Sequence, residues 1–334
     1  MTAETVYSEL LTPRLRLSPV SLADLPDLQA LFGQSEVARY LPGGEPYPPE
    51  VMHTELESML AHWQQHDYGM FAIRSRETEA FLGYCGVQHL HAGPGGVSPA
   101  ALERYAKAGE IPVEILYGLT PGDWGQGLAS EAGLACLRYA FEVLELPQVT
   151  AAIHPDNAAS KRILVEKLGL RPAPGLDFYG DCPHFALERQ AYQPGAAPLF
   201  NLSTDPARLD IEAICAFLQR AYWAQGRRRE TVERSLQHSL CFGVYDRQVQ
   251  IGLARLVTDF ATFAWLCDVF IDEAYRGHGL GKWLVKATLS HPELQSLRRW
   301  MLATRDAHGL YRQFGYQPLS APERWMERFN SQAS

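Results

Sequence analysis

The sequence has no apolar run near the roughly 20 residues that a membrane-spanning helix needs. It has no surplus of base either. Lys and Arg number 30 against 38 Asp and Glu, a formal charge of -8 at pH 7. That removes the electrostatic reason to seek nucleic acid or an anionic membrane surface. No Cys-x-x-Cys pair occurs. The six cysteines, Cys85, Cys136, Cys182, Cys215, Cys241 and Cys267, are spread along 334 residues and read as reduced, packed thiols. The 11 histidines are scattered, with no His-Glu-x-x-His or comparable ligand spacing, so no metal is expected. Asp181-Cys182-Pro183-His184 is the one local grouping of ligand types. One Cys and one His make a poor zinc site, so a strand edge is expected there. The opening MTAETVYSEL is acidic and polar, unlike a secretory signal, and a cytoplasmic location is expected.

What the chain does have is core material. Hydrophobic residues make up 46% and charged residues 20%, a globular composition that argues against disorder. A length of 334 residues suits two domains or one large one. Charge is unevenly shared. Residues 1–190 carry 13 Lys/Arg and 24 Asp/Glu, whereas 191–334 carry 17 and 14. Such asymmetry supports two units. Between them, Gln193-Pro194-Gly195-Ala196-Ala197-Pro198 has neither helical nor strand periodicity. The expected organisation is a first domain at 8–190, a linker at 191–198 and a second domain at 199–330.

In the first half, alternation predicts strands at 15–20, 70–73, 81–88, 113–119 and 149–153. Helices are predicted from 21 or 24, over 49–66, from 128 to about 143, and over 157–168, the last stopped by Gly169. Residues 91–110 read as a long inserted loop with one helical turn. The second half repeats the order. Helices are predicted at 206–220 and 230–240, strands at 241–245, 249–257 and 263–271, a helix at 280–289, a strand at 300–303 and a helix at 307–314. This succession reads as an internal structural duplication.

Both halves contain a strand, a Gly-rich turn and a helix. The first turn is Trp124-Gly125-Gln126-Gly127-Leu128-Ala129-Ser130-Glu131-Ala132, the second Tyr275-Arg276-Gly277-His278-Gly279-Leu280-Gly281-Lys282. Glycine lets backbone approach an anion, and the following helix offers free N–H groups and a positive dipole end. The chemistry is a phosphate or pyrophosphate cradle. Neither turn fits the Walker pattern or a dinucleotide-binding fingerprint.

On these residues both halves resemble GNAT-superfamily N-acetyltransferases. Arg276-Gly277-His278-Gly279-Leu280-Gly281 matches the family pattern [RQ]-x-x-G-x-[GA]. In the first half Gly127-Leu128-Ala129 matches, with Trp124 where Arg or Gln is usual. That form is similar to the RimL-type branch, which modifies protein N-termini and small amines. Leu11-Thr12-Pro13-Arg14-Leu15-Arg16-Leu17, Asn157-Ala158-Ala159-Ser160 and Glu166-Lys167-Leu168-Gly169-Leu170 resemble the same branch. The implied fold is α/β, two tandem domains, each a mixed, mostly antiparallel splayed sheet flanked by helices.

The resemblance implies acetyl-CoA as cosubstrate and a primary amine, on a small molecule or a protein N-terminus, as acceptor. It implies CoA contacts from Leu119 and from Trp124, Gly125, Gln126, Gly127, Leu128 and Ala129, with Asn157. In the second half the contacts come from Phe270, Ile271, Arg276, Gly277, His278, Gly279, Leu280, Gly281 and Thr304, the last in place of a usual Asn. A protonated amine must lose a proton before it attacks, and the departing thiolate benefits from an acid. Glu114 and Asp268 are the base candidates, each on the strand before its cradle. Ser160 and Tyr311 are the acid candidates. Leu164 stands where the family's acid tyrosine would be in the first half. Asn157 and Ser160 also suit helix capping. The helix from Ser160 to Gly169 is one residue longer than the family pattern, with Val165 or a neighbour extra. An alternative is that only one domain, by these patterns the second, is catalytic, and the other is a binding or scaffold module. A non-catalytic acyl-CoA sensor is a further alternative.

Overall fold

Alternation and burial together set the first sheet. In a computed structural model, residues 7–330 are described, apart from 94, 110, 196 and 197. The first six residues of the polar opening and Ala196-Ala197 of the expected linker therefore lie outside the described residues. The chain divides into two units, Met1–Asn201 and Leu202–Ser334.

The first unit carries eight strands: β1 (Ser8–Leu11), β2 (Leu15–Pro19), β3 (Met70–Ser75), β4 (Phe81–His89), β5 (Val113–Leu119), β6 (Gln148–Ala152), β7 (Arg171–Pro172) and β8 (His184–Glu188). Their order is β1-β2-β3-β4-β5-β6-β8-β7. Every neighbouring pair is antiparallel except β5 and β6, which run parallel and meet at one register pair, Glu114 with Thr150. Beyond that pair the two strands part.

Helices α1 (Leu25–Phe32), α2 (Ser35–Ala38), α3 (Pro49–His66), α4 (Pro99–Ala108) and α5 (Leu128–Glu142) follow in chain order. The predicted 49–66 helix is α3 residue for residue, opened by Pro49 at its first turn and closed by Asp67 in a left-handed cap. Its Met52, Leu56, Met59 and Trp63 recur at helical spacing and enter the core beside Phe71, Ile73, Cys136 and Tyr139. The stretch read as a loop with one helical turn holds the ten-residue α4, whose Ser98 cap accepts from the Ala101 amide. Its lack of fully buried residues explains the weak sequence signal. Tyr192, inside the expected linker, stacks on Phe141 with ring centroids 4.9 Å apart, so the chain stays docked beyond residue 190.

The second unit has β9 (Phe200–Ser203), β10 (Leu240–Asp246), β11 (Val249–Thr258), β12 (Phe263–Ile271) and β13 (Arg299–Met301), in that spatial order. Here β10–β11 and β11–β12 are antiparallel and β12–β13 is parallel, through Phe263, Ala264 and Trp265. Its longer helices are α7 (Ile211–Arg220), α8 (Arg229–Gln237) and α9 (Leu280–Ser290), the first two packed around Phe217, Val232, Leu236, Leu253 and Phe270. A short α10 (His308–Arg312) comes after β13. Among the described residues nothing corresponds to β7 and β8, so the parted arm of this sheet is the single strand β13. The duplication read from the order of elements is real up to α10 and incomplete after it.

The seat of β5 depends on close backbone contact one strand away. A Cβ at Gly86 of β4 would lie 2.4 Å from the Gly69 carbonyl oxygen and 2.6 Å from Met70 Cα. Backbone cannot yield as a side-chain tip can. Gly86→Ala is expected to destabilise the first unit by about 3 kcal/mol, the upper range for overpacking, read as a lower urea midpoint.

Candidate active site

Each parting strand leads directly into its Gly-rich turn. Gly125 and Gly127 have φ of 76 and 74, Gly277 and Gly279 of 87 and 79, a left-handed geometry that a side chain resists. A Cβ added at Gly125, Gly277 or Gly281 would meet nothing within 4 Å, so each turn is open on the face a ligand approaches. Among the described residues no acceptor takes the amides of Gly125, Gln126, Gly127, Leu128, Ala129 and Ser130, or those of Gly277, Gly279, Leu280, Gly281 and Lys282. Leu128 and Leu280 are buried and anchor the helices these amides begin. Unclaimed N–H groups at the starts of α5 and α9 fit a pyrophosphate in both units.

The first cradle is held from outside. Arg14 donates from Nη1 to the Gln126 carbonyl (2.9 Å) and from Nε to Glu131 (2.6 Å). The hydroxyl of Thr12 also donates to Glu131 (2.6 Å). The Thr-Pro-Arg opening and the Ser-Glu-Ala end of the turn thus belong to one brace. Trp124, which departs from the family pattern, donates from Nε1 to the Leu119 carbonyl (2.8 Å). Arg276 donates from Nε to the Ile271 carbonyl (3.3 Å), also five residues back and also at the strand's last residue. The indole reproduces the guanidinium's bond. Phe270 faces the core, stacked on Phe217 at 3.6 Å, so it offers the cradle only its backbone. His278 turns its Nδ1 to the Tyr275 carbonyl (3.1 Å).

Glu114 sits where β5 and β6 part and is fully buried. Its Oε1 lies 3.2 Å from the Tyr179 hydroxyl, which is also 3.2 Å from the Gly95 carbonyl. Its Oε2 is buried with no partner. Burial pushes the carboxyl up to about 7, against the opposing pull of Tyr179 and His91. His91 in turn lies 3.3 Å from the buried Glu55, whose bond holds the imidazole above its ordinary value. Tyr179, His91 and Glu55 come from a loop or α3, far from the strand in sequence, and no spacing pointed to them.

After β6 the chain enters α6 (Ala158–Arg162), which runs on into a π-turn, Ile163–Lys167. The Leu168 amide bonds back five residues to Ile163 (2.9 Å), and Leu170 bonds to Leu164 (2.9 Å). The extra residue expected here is absorbed as a π-bulge, which keeps Leu164 in the core. Asn157 Oδ1 accepts from the Ser160 amide (3.0 Å), the capping role. Ser160 Oγ lies 2.9 Å from the Tyr117 hydroxyl of β5, a partner the sequence did not single out.

The second unit uses its acid differently. Asp268 accepts from Arg255 (2.8 Å), from Arg227 (3.0 and 3.1 Å) and from Trp223 (3.2 Å). Both carboxylate oxygens are engaged. Its φ of 49 marks a bulge in β12, where the register with β11 shifts. Arg227 and Trp223 are both spent on this acid. Thr304 Oγ1 accepts from the Ala307 amide (3.0 Å), closing the turn just before α10, whose own N-cap is Ala307. Tyr311 is buried in α10, its phenol pushed up to about 12 by burial, and its hydroxyl has no hydrogen-bond partner among the described residues. The Asp181–His184 grouping is indeed a strand entry: His184 begins β8 and its ring packs on Phe178 at 4.3 Å.

Comparison with known proteins finds one family in both units. Models described as the acetyltransferase (GNAT) domain match residues 14–171 and residues 237–318. A Gibberella zeae protein named as an inferred acetyltransferase is 33% identical over 135 residues, covering 34% of this chain and 75% of that one. An uncharacterized N-acetyltransferase of Bacillus subtilis, YoaA, is 27% identical over 166 residues, covering 50% of this chain and 84% of its own. A solved Xanthomonas campestris structure assigned to the GNAT family is 42% identical, with 42% of this chain and 96% of that one covered and a TM-score of 0.39. The chain belongs to the GNAT family, acyltransferases that use acetyl-CoA, and carries one such domain in each unit.

A buried acid raised to about 7 stabilises the fold only while protonated. The unfolded carboxyl gives up its proton near pH 4.5, the folded one near 7. Stability is therefore intact below about pH 4.5 and falls as pH rises to about 7, by roughly 3 kcal/mol in total. Glu114→Gln cannot ionise. It is expected to raise the thermal midpoint at pH 8 and leave it little changed at pH 4, measured by calorimetry at the two values.

Proposed function

We propose that the first unit transfers an acetyl group from acetyl-CoA to a primary amine of a small molecule or a protein N-terminus, with Glu114 as proton acceptor. The second unit is then a donor-binding module. The observation that carries this reading is the unpartnered Oε2 of Glu114, buried at the parting of β5 and β6. Asp268 has no comparable free oxygen, which reverses the weight that sequence patterns put on the second domain.

Acetyl-CoA supplies an activated thioester carbonyl. Glu114, ionised above about pH 7, accepts the proton that an ammonium must shed before its nitrogen can bond to that carbon. As the C–N bond forms the C–S bond breaks, and the sulfur leaves with the bonding pair. Ser160, whose hydroxyl lies 2.9 Å from that of Tyr117, gives the sulfur a proton and regains one from the second N–H proton that the acylated nitrogen sheds. The free amides of the two turns hold the donor's phosphates, and Trp124 and Arg276 fix the strand ends beside them.

Calorimetric titration with acetyl-CoA is expected to find two sites per chain, one lost in Gly127→Val and the other in Gly279→Val, since valine resists φ near +75. One site lost only with Gly279→Val would remove donor binding from the first unit and overturn the reading. In an amine-acetylation assay, turnover should rise through an apparent pKa of about 7. Glu114→Gln should lose that limb and fall by about 100-fold or more. Tyr311→Phe should leave turnover within about two-fold; a ten-fold loss would place the chemistry in the second unit.

A further inference from the structure

Three histidines meet beside the first parting strand, where His89 pairs with Val113 of β5. His62 and His66 stand one turn apart in the last turns of α3, and His89 ends β4. Each offers a ring nitrogen, and these atoms all lie within 4.8 Å of one another. The ring centroids are 4.4 Å apart for His66 and His89, 4.5 Å for His62 and His66, and 5.5 Å for His62 and His89. Among the described residues no other group of three His, Cys, Asp or Glu side chains comes together in this way. All three are half-buried, so the site has both walls and an entrance.

The hydrogen bonds set the ring that matters. His62 Nδ1 is 2.8 Å from the Tyr68 carbonyl, which can only accept, so Nδ1 carries the proton. That leaves His62 Nε2 with a lone pair, and the backbone carbonyl on the far nitrogen is the usual orienting partner of a metal-bound imidazole. His62 Nε2 is 3.3 Å from His89 Nδ1. Two nitrogens bound tetrahedrally to zinc at about 2.0–2.1 Å stand about 3.3 Å apart, so this pair already has ligand spacing. His66, on the same helix face four residues on, closes the third corner when its half-exposed ring turns inward. Two further polar contacts are present. The His89 amide donates to His62 Nε2 (3.0 Å), and the Tyr68 hydroxyl lies 3.3 Å from His89 Nδ1. A cation must displace the first of these, which favours moderate rather than extreme affinity.

We propose that His62, His66 and His89 bind one divalent zinc-type cation, with solvent in the fourth position, as a site separate from acetyl transfer. Three imidazoles suit zinc, and equally its probes cobalt and nickel, and do not suit calcium or magnesium. The bound cation ties the end of α3 to the end of β4. Reading the sequence for His-Glu-x-x-His missed the site because its third ligand lies 23 residues beyond the helical pair.

The untagged full chain, stripped with chelator, is titrated with Co2+ and Zn2+. Expected are one Zn2+ per chain, a visible cobalt spectrum of tetrahedral intensity and a higher thermal midpoint with metal. His66→Gln, checked for folding by circular dichroism, should bind at least about 100-fold more weakly. His66→Cys, which keeps a ligand, should retain binding and add a thiolate-to-cobalt band in the near ultraviolet. Equal zinc affinity in the wild type and in His66→Gln overturns the proposal. So does a folded His66→Cys chain that binds cobalt without the thiolate band, or a wild type that binds no metal.

Discussion

Almost everything distinctive in the first unit depends on one register pair, Glu114 with Thr150. All other neighbours in that sheet are antiparallel, and β4–β5 and β6–β8 stay paired along five residues or more. A parallel neighbour must arrive by a crossover, here through α5, and α5 starts at the Gly-rich turn. Where β5 and β6 separate, the sheet can no longer satisfy or cover what points into the gap. The gap therefore gathers the end of β5, the unclaimed amides of the turn and the capped start of α6. It also places Glu114 at the last point where the strands touch, which buries it and lifts its carboxyl to about 7.

The two units build the same cradle from different side chains. Trp124 and Arg276 donate to the last carbonyl of their strands, and Asn157 and Thr304 each accept from an amide three residues on, Asn157 as the cap of α6 and Thr304 in the turn before α10. Geometry is kept while residue type changes, because each role needs only a donor or an acceptor at one place. The acids are not equivalent in this way. Counting back from the anchored carbonyls, Asp268 is three residues from Ile271 and Glu114 is five from Leu119. The residue five back from Ile271 is Leu266, buried in the second core. The bulge at Asp268 shifts the count by one and does not bring the two together.

Much of this was legible in the chain. The positive-φ glycines, the order strand–turn–helix and the limits of α3 follow from local rules about turns, caps and helical spacing. The helix after β6 was visibly one residue too long, and the π-turn is the physical consequence. What could not be read was pairing at a distance. Nothing local in Asp268 announces Arg255 thirteen residues earlier or Arg227 forty-one earlier, and nothing near Glu114 announces Tyr179. The base candidates looked alike as acids in apolar strands. Beyond their different places on the strand, they differ in what the tertiary fold brings to their oxygens.

That difference is an energetic one. A carboxyl taken from water must be paired or must keep its proton. Asp268 takes the first course: two guanidiniums and an indole hold it, and it serves to fasten β11 and the segment before α8 to the bulge of β12. Glu114 takes the second, with one phenol on one oxygen and nothing on the other. A glutamine there would avoid the cost of ionisation near neutral pH, so stability alone gives no reason for an acid at this position. A group that is costly to the fold and poised to exchange a proton at about pH 7 is understandable as chemistry rather than packing.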